Sequence, residues 1–263
     1  GLSHRLEAGI YQLDGQLDLP STVQLLLKAP QRMLKATIPE GLTRHETAGV
    51  LARQGIVDST RFVQLSEDRT FTASLGIDKP TLEGYLFPET YFFSMESDEE
   101  VVIQRIVKHF HQTLNKDVLA RLDSIGLNLH QAVTLASIVE REAKAASERP
   151  LIAGVFLRRL SLNRRLESCA TVEYALGVHK KRLTNADLRV KSPFNTYRHR
   201  GLPPAPIGSP GKAALYASLY PEKTEYLYFV ARGDGTHIFS RTNVEHEAAK
   251  RQLKQLEKSR KLN

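Results

Sequence analysis

The chain has one cysteine, Cys169, so it cannot form an internal disulfide, and cysteine usage says nothing about an oxidising compartment. A lone cysteine is far more often a small buried apolar residue than a nucleophile, and Cys169 is expected to be buried. Cysteine pairs and HExxH-type histidine spacing are missing, which argues against a metal site, and no cofactor is expected. No apolar run approaches the roughly 18 residues of a membrane span, and none looks like a signal-peptide core. There is no internal repeat, no low-complexity tract and no recognisable DNA- or RNA-binding motif. The chain starts at Gly1 without Met, which fits a fragment or a mature form from which an anchor or signal has been removed.

What is present is the composition of a folded protein. The 263 residues, 41% hydrophobic and 25% charged, suit one large domain or two smaller ones with a substantial core. The formal charge is +8, with basic clusters at Arg158-Arg159, Arg164-Arg165, Lys180-Lys181-Arg182 and along the C-terminal segment. Such charge attracts nucleic acid, anionic lipid or an acidic polymer. The clusters are scattered and not interleaved with aromatics, so they read as solvated faces.

Local signals divide the chain. A strand at Gly9–Leu13, a helix capped by Ser21 and ending near Leu27-Lys28, and a short strand at Thr37–Gly41 form a β-α-β unit. Thr43-Arg44-His45-Glu46 is a capping box, Gly55 sits where a helix ends, and a second helix runs from Ser59 to Leu65. Leu82–Tyr91 is aromatic but broken by Gly and Pro, so it is no regular helix, and its aromatics are expected in the core. Ser97–Glu100 reads as a capping box before an amphipathic helix bearing Val101, Val102, Ile106 and Phe110. A short helix ends at Gly177, and Thr184–Asp187 caps one more turn. Ser192–Tyr197 and Gly201–Gly208 are too rich in Pro and Gly for regular structure, and a stiff loop of that kind is uncommon unless it shapes a site. Ser209-Pro210 reads as the cap and first residue of a helix. Glu225–Val230 and Thr236–Phe239 form a hairpin, and Thr242–Glu245 caps a basic terminal helix.

Chemistry is expected in the helix-forming stretch Leu129–Leu160, where Glu140 and Glu142 end the apolar run Ala132–Val139. Desolvation at such an edge disfavours a charged carboxylate, and an acid still protonated near neutrality is what general-acid catalysis needs. The plainer alternative is a solvated Glu140 paired with Lys144, four residues on. At about 100° per residue, Glu140 falls near Val133, Ala136 and Lys144, while Glu142 falls near Leu135 and Ile138. The two carboxylates do not converge on one bond, so one of them would carry the chemistry, and spacing alone does not say which.

Taken in order, LEAGIYQL, TIPEGLT, LEGYLFPETY, ASIVERE, ASERPLIAGVFLRRL, TVEYALG, SPFNTYRHRGLPPAPIGSPG and YLYFVARGDGTHIFS resemble the YceG-like endolytic murein transglycosylases of bacteria. Each motif is modest alone; their joint order is highly specific and covers nearly the whole chain. The resemblance implies an α+β fold, with a small LysM-like module over residues 1–78 and a mostly helical catalytic domain with a short β-hairpin over 79–263. It implies a single-pass inner-membrane anchor upstream, with this part on the periplasmic side. Glycan strands of peptidoglycan would be the substrate and cell-wall synthases the partners, with a role in wall synthesis and remodelling that extends to terminating nascent strands. Nucleic acid is not expected as a partner.

The resemblance also picks Glu140, the first Glu of the ASIVE-x-E motif, as the catalytic acid. The implied reaction is non-hydrolytic cleavage of the β-1,4 bond between N-acetylmuramic acid and N-acetylglucosamine, leaving a 1,6-anhydro end. Because the sugar supplies its own C6 hydroxyl as nucleophile, the second carboxylate of ordinary glycosidases is not required. Substrate contacts are expected from Glu83, Glu142, Asn195, Thr196 and Tyr197, with Asn195 and Tyr197 equally suited to bracing their loop. Where many relatives read Leu-Gln-Ser-Asp-Pro-Thr, this chain has Leu166–Thr171 as LESCAT, so Glu167 or Ser168 would take over the usual contact. Pro204-Ala205-Pro206-Ile207 is a milder change. The alternative is a non-catalytic peptidoglycan-binding scaffold that kept the fold.

Overall fold

The computed structural model describes residues 18–28, 33–95, 97–114, 116–180 and 183–262. The strand expected at Gly9–Leu13 lies outside them. The elements are α1 (Leu19–Lys28), β1 (Met33–Thr37), α2 (Arg44–Arg53), α3 (Ser59–Glu67), α4 (Arg69–Ser74), β2 (Thr90–Ser94), α5 (Glu99–Thr113), α6 (Lys116–Ile125), α7 (Leu129–Glu142), α8 (Arg149–Ser161), α9 (Cys169–Leu176), α10 (Lys212–Leu219), β3 (Tyr228–Ala231), β4 (His237–Ser240) and α11 (Asn243–Leu262). Helices dominate and the strands form two small antiparallel pairs, an α+β arrangement. Among the described residues, no helix is long and apolar enough to cross a membrane.

β1 pairs with β2, with Ala36 opposite Tyr91, so strand pairing joins residues on either side of position 78. Leu82–Tyr91 forms no helix, as expected, and its end enters β2, where Tyr91 and Phe93 are buried while Phe92 is exposed, the period-two pattern of a half-buried strand. Tyr85, Phe87 and Tyr91 all fill the core, as expected for that segment. The Thr43/Glu46 capping box opens α2 as its spacing predicts. At α5 the cap is Asp98, whose side chain accepts from Val101 N–H, in place of the expected Ser97 box.

Eight successive residues of α7, Ala132 to Val139, are buried, which makes it a central helix, and it packs against α8, α9 and α10. The stretch read as helix-forming from 129 to 160 is interrupted. α7 stops at Glu142, a 3-10 turn covers Ala146–Glu148, and α8 follows.

The expected helix start at Ser209-Pro210 is corrected. Ser209 donates its N–H to Leu42 C=O and accepts from Gly41 N–H, both at 2.8 Å, so it runs as extended backbone. Gly211 takes the N-cap position and α10 opens at Lys212.

Gly154 marks the closest approach to α8, since an added Cβ would overlap the Glu222 carbonyl oxygen and press on Thr224. G154A is therefore expected to destabilise by about 1–3 kcal/mol of overpacking, more than the roughly 1 kcal/mol that Ala gains over Gly in a helix. Thermal unfolding checks the sign, and an unchanged or raised Tm contradicts it.

Candidate active site

Glu140 closes α7, whose N-terminus is held by a capping box between Asn128 and Gln131. Its side chain keeps 7% of its surface exposed. The carboxylate is gripped from two sides: Arg149 Nη2 lies 3.2 Å from Oε1, and Gly211 N–H donates to Oε2 at 2.9 Å. The Lys144 pairing offered by helical spacing does not form, because the helix ends at Glu142 and Ala143 turns to extended backbone with ψ 109°. Arg149, at the start of α8, takes that place.

A second carboxylate shares the guanidinium. Glu40 Oε2 lies 3.9 Å from Arg149 Nη2, and Gly211 packs so tightly on the Glu40 carboxylate that an added Cβ would overlap it. Gly211 thus touches both acids, one through its N–H and one through its Cα. Glu40 also lines a cavity of about 370 Å³ with Pro88, Glu89, Lys212 and Tyr216. Burial is the main cause raising the Glu40 pKa above its ordinary value; repulsion from Glu140 adds to this and Arg149 opposes it. In E140Q that repulsion disappears while burial stays, so Glu40 is expected to titrate at lower pH than in the wild type. Carboxyl-carbon NMR titration of both proteins reads the shift, and coincident curves contradict it.

Glu142 turns to different neighbours. It accepts from the Ser168 hydroxyl at 2.5 Å and from Ala170 N–H at 3.4 Å. The two carboxylates of α7 therefore have separate partners, as their two-residue spacing requires. Between them Arg141 reaches His179 at 2.7 Å and Glu173 at 3.6 Å.

Glu83 is 2% exposed. It accepts from Arg44 N–H at 3.1 Å, Arg44 Nη1 at 3.0 Å and the Tyr174 hydroxyl at 3.1 Å. Burial pushes its pKa up against the opposing Arg44 charge and Tyr174 hydrogen bond. It lines a cavity of about 430 Å³ together with Arg44, Arg141, Tyr174 and His179.

The FNTY loop is mostly self-supporting. Asn195 is fully buried, its amide donating to Leu188 and Val190 carbonyls and its oxygen accepting from Tyr197 N–H. Thr196 Oγ1 accepts from Ser168 N–H at 3.0 Å and lies 2.9 Å from Thr171 Oγ1. Tyr197 reaches a larger cavity of about 670 Å³, which Glu142, Glu167 and Cys169 also line. Ser168 is buried, and Glu167 pairs with Arg159 at 2.8 Å.

Two expectations are corrected here. Cys169 is exposed, because it sits at the rim of α9 with Sγ 3.2 Å from the Tyr197 hydroxyl. Burial of the sulfur nonetheless raises its pKa, which keeps it a thiol and a poor nucleophile. Arg159 was read as part of a solvated face but is 5% exposed, held by the Arg165 and Leu166 carbonyls and by Glu167.

Glu40, Arg149 and Gly211 were not singled out by the sequence reading. Glu40 and Gly211 lie inside TIPEGLT and the SPG end of the proline-rich loop, and Arg149 in ASERPLIAG, so each stood in a quoted motif. What was missing was their adjacency.

The sequence profile of the YceG-like family matches residues 1–252. The chain belongs to the YceG-like family. An endolytic murein transglycosylase of Bacillus subtilis strain 168 is 33% identical over 262 residues, covering 93% of this chain and 72% of that protein. One of Streptococcus pneumoniae D39 is 30% identical over 271 residues, covering 91% of this chain. The chain spans about half, 49%, of that pneumococcal relative. Among YceG-like crystal structures, one from Listeria monocytogenes superposes with a TM-score of 0.76 at 34% identity, covering 94% of this chain and 87% of that one.

Proposed function

We propose that this YceG-like chain is a peptidoglycan lytic transglycosylase that cleaves glycan strands without water, with Glu140 as the single acid and base. The observation that carries the reading is the Glu140 carboxylate, fixed at the end of a buried helix by Arg149 and Gly211, with no second α7 carboxylate turned toward it. The names of the Bacillus and Streptococcus relatives support the same reaction class.

In the proposed reaction, protonated Glu140 gives its proton to the glycosidic oxygen as the bond to C1 of N-acetylmuramic acid breaks. The C6 hydroxyl of the same sugar attacks C1, and the Glu140 carboxylate takes the hydroxyl proton. A 1,6-anhydro ring forms, the acid is regenerated, and no water is consumed. A rigidly held acid suits this double duty, because both proton transfers occur from one position. Residues 1–78 would hold the strand as a LysM-like module, and the protein would work on the outer face of the inner membrane beside the synthases, joined to the membrane by an upstream segment.

Mass spectrometry of products from isolated cell walls tests the reading. Anhydro ends are expected. Reducing ends would mean a hydrolase, and binding without new ends would mean a scaffold.

A further inference from the structure

A second concave site lies beyond α8. Arg159, Arg164, Arg165 and Arg200 line a cavity of about 440 Å³ with Tyr228 and a single carboxylate, Glu167. Glu167 is committed to Arg159. Among the described residues no carboxylate lies within ion-pair distance of Arg164, Arg165 or Arg200, in contrast to Arg44, Arg141 and Arg149, which all have one.

Neutral groups aim two of these side chains. Arg164 donates to the Tyr228 hydroxyl at 3.1 Å and lies over its ring at 5.6 Å, and Arg200 donates to Asn163 C=O at 3.0 Å. The buried Arg159 stacks on the same ring at 5.0 Å, and its Nε has no hydrogen-bond partner. The loop presenting Arg164 and Arg165 is bracketed by Asn163 and Glu167, with φ of 49° and 54°, the only non-glycine residues with positive φ among those described. Backbone held in that region costs about 1–3 kcal/mol per residue and persists where the surroundings impose it. Three like charges on one concave wall repel each other until an anion enters, and guanidinium forks match the planar oxygen pairs of carboxylates as well as phosphates.

Arg159, Glu167 and Tyr228 also line the cavity of about 670 Å³ that contains Glu142 and Tyr197, so the arginine wall adjoins the Glu142 side of α7, away from the face that carries Glu140. We propose that this wall binds the carboxylates of the short peptides that branch from the glycan strand, and so selects peptide-bearing over bare strands. The proposal rests on the glycan-cleaving reading above. An extended chain of four residues spans about 13 Å, and the two cavities share Arg159, Glu167 and Tyr228 in their walls.

The test uses the exposed arginines in the double variant R164A/R165A, with R200A as a second protein, each checked for an unchanged Tm. On peptide-bearing strands KM is expected to rise about tenfold per lost charged hydrogen bond with kcat retained. On strands stripped of peptide by an amidase, KM should not move. Separately, calorimetry with the free wall tetrapeptide should show binding to wild type and to E140Q, loss in R164A/R165A, and loss when the peptide carboxylates are amidated. That binding does not depend on turnover, so a wild type that binds tetrapeptide but releases no anhydro ends would fail the reaction and leave the peptide site standing. Equal tetrapeptide binding by wild type and R164A/R165A overturns the site, as does an equal KM change on stripped strands. Loss confined to binding of anionic phospholipid vesicles would also overturn it, making the wall a membrane contact.

Discussion

E140Q is expected to fold with a near-wild-type Tm and to release anhydro ends at least about 10³-fold more slowly, the scale of a lost general acid and base. Glutamine preserves the volume and the oxygen that accepts from Gly211 N–H, so the packing at the end of α7 is kept. Arg149 loses one carboxylate but retains Glu40 at 3.9 Å, so it is not left without a counter-charge. What disappears is the exchangeable proton, needed in both halves of the proposed reaction. Glu142 cannot stand in, because its carboxylate is engaged by Ser168 and Ala170. Muropeptide mass spectrometry and thermal unfolding on the same preparation separate the two effects. Wild-type product release by E140Q removes Glu140 from the mechanism, and a collapsed Tm would make its role structural.

The second large effect is on stability. R44A leaves the Glu83 carboxylate buried beside only the Tyr174 hydroxyl and a backbone N–H, and stranding a buried charge in this way costs about 3–5 kcal/mol. For a domain of this size that corresponds to a Tm lower by about 6–20 °C. The effect should depend on pH with a definite sign. Burial raises the folded pKa of Glu83 above that of an ordinary glutamate, so its favourable contribution is complete below the unfolded value and is lost as pH rises through the folded one. Arg44 is the main group opposing that rise, so its removal raises the folded pKa further and extends the loss to higher pH. The Tm difference between R44A and wild type should be small near pH 4 and grow toward pH 8. A constant difference across that range would place the defect in lost packing of the Arg44 side chain.

Much of the architecture was legible because it is encoded locally. The capping box at Thr43 and Glu46, the left-handed Gly177 that ends α9 and the β3–β4 hairpin each depend on a few adjacent residues. So does the divergence of Glu140 and Glu142, which follows from helical geometry alone. Ser209 looked like a helix cap because its pairing with Gly41 and Leu42 is not local, and β2 gave no local strand signal because its partner β1 is more than 50 residues away.

By itself the sequence determined the ordered motifs, the helix that bears Glu140, and the rule that only one α7 carboxylate can face a given bond. Only the tertiary structure decided what surrounds that carboxylate. Residues 40, 140, 149 and 211 come from four separate segments, and they meet because extended pairing at Gly41 and Ser209 lays the proline-rich loop against the end of α7. The same holds for the arginine wall, where exposed side chains from two loops share a cavity. Charge and hydropathy along a chain specify which residues prefer water; which charges face each other is settled by packing between elements distant in sequence.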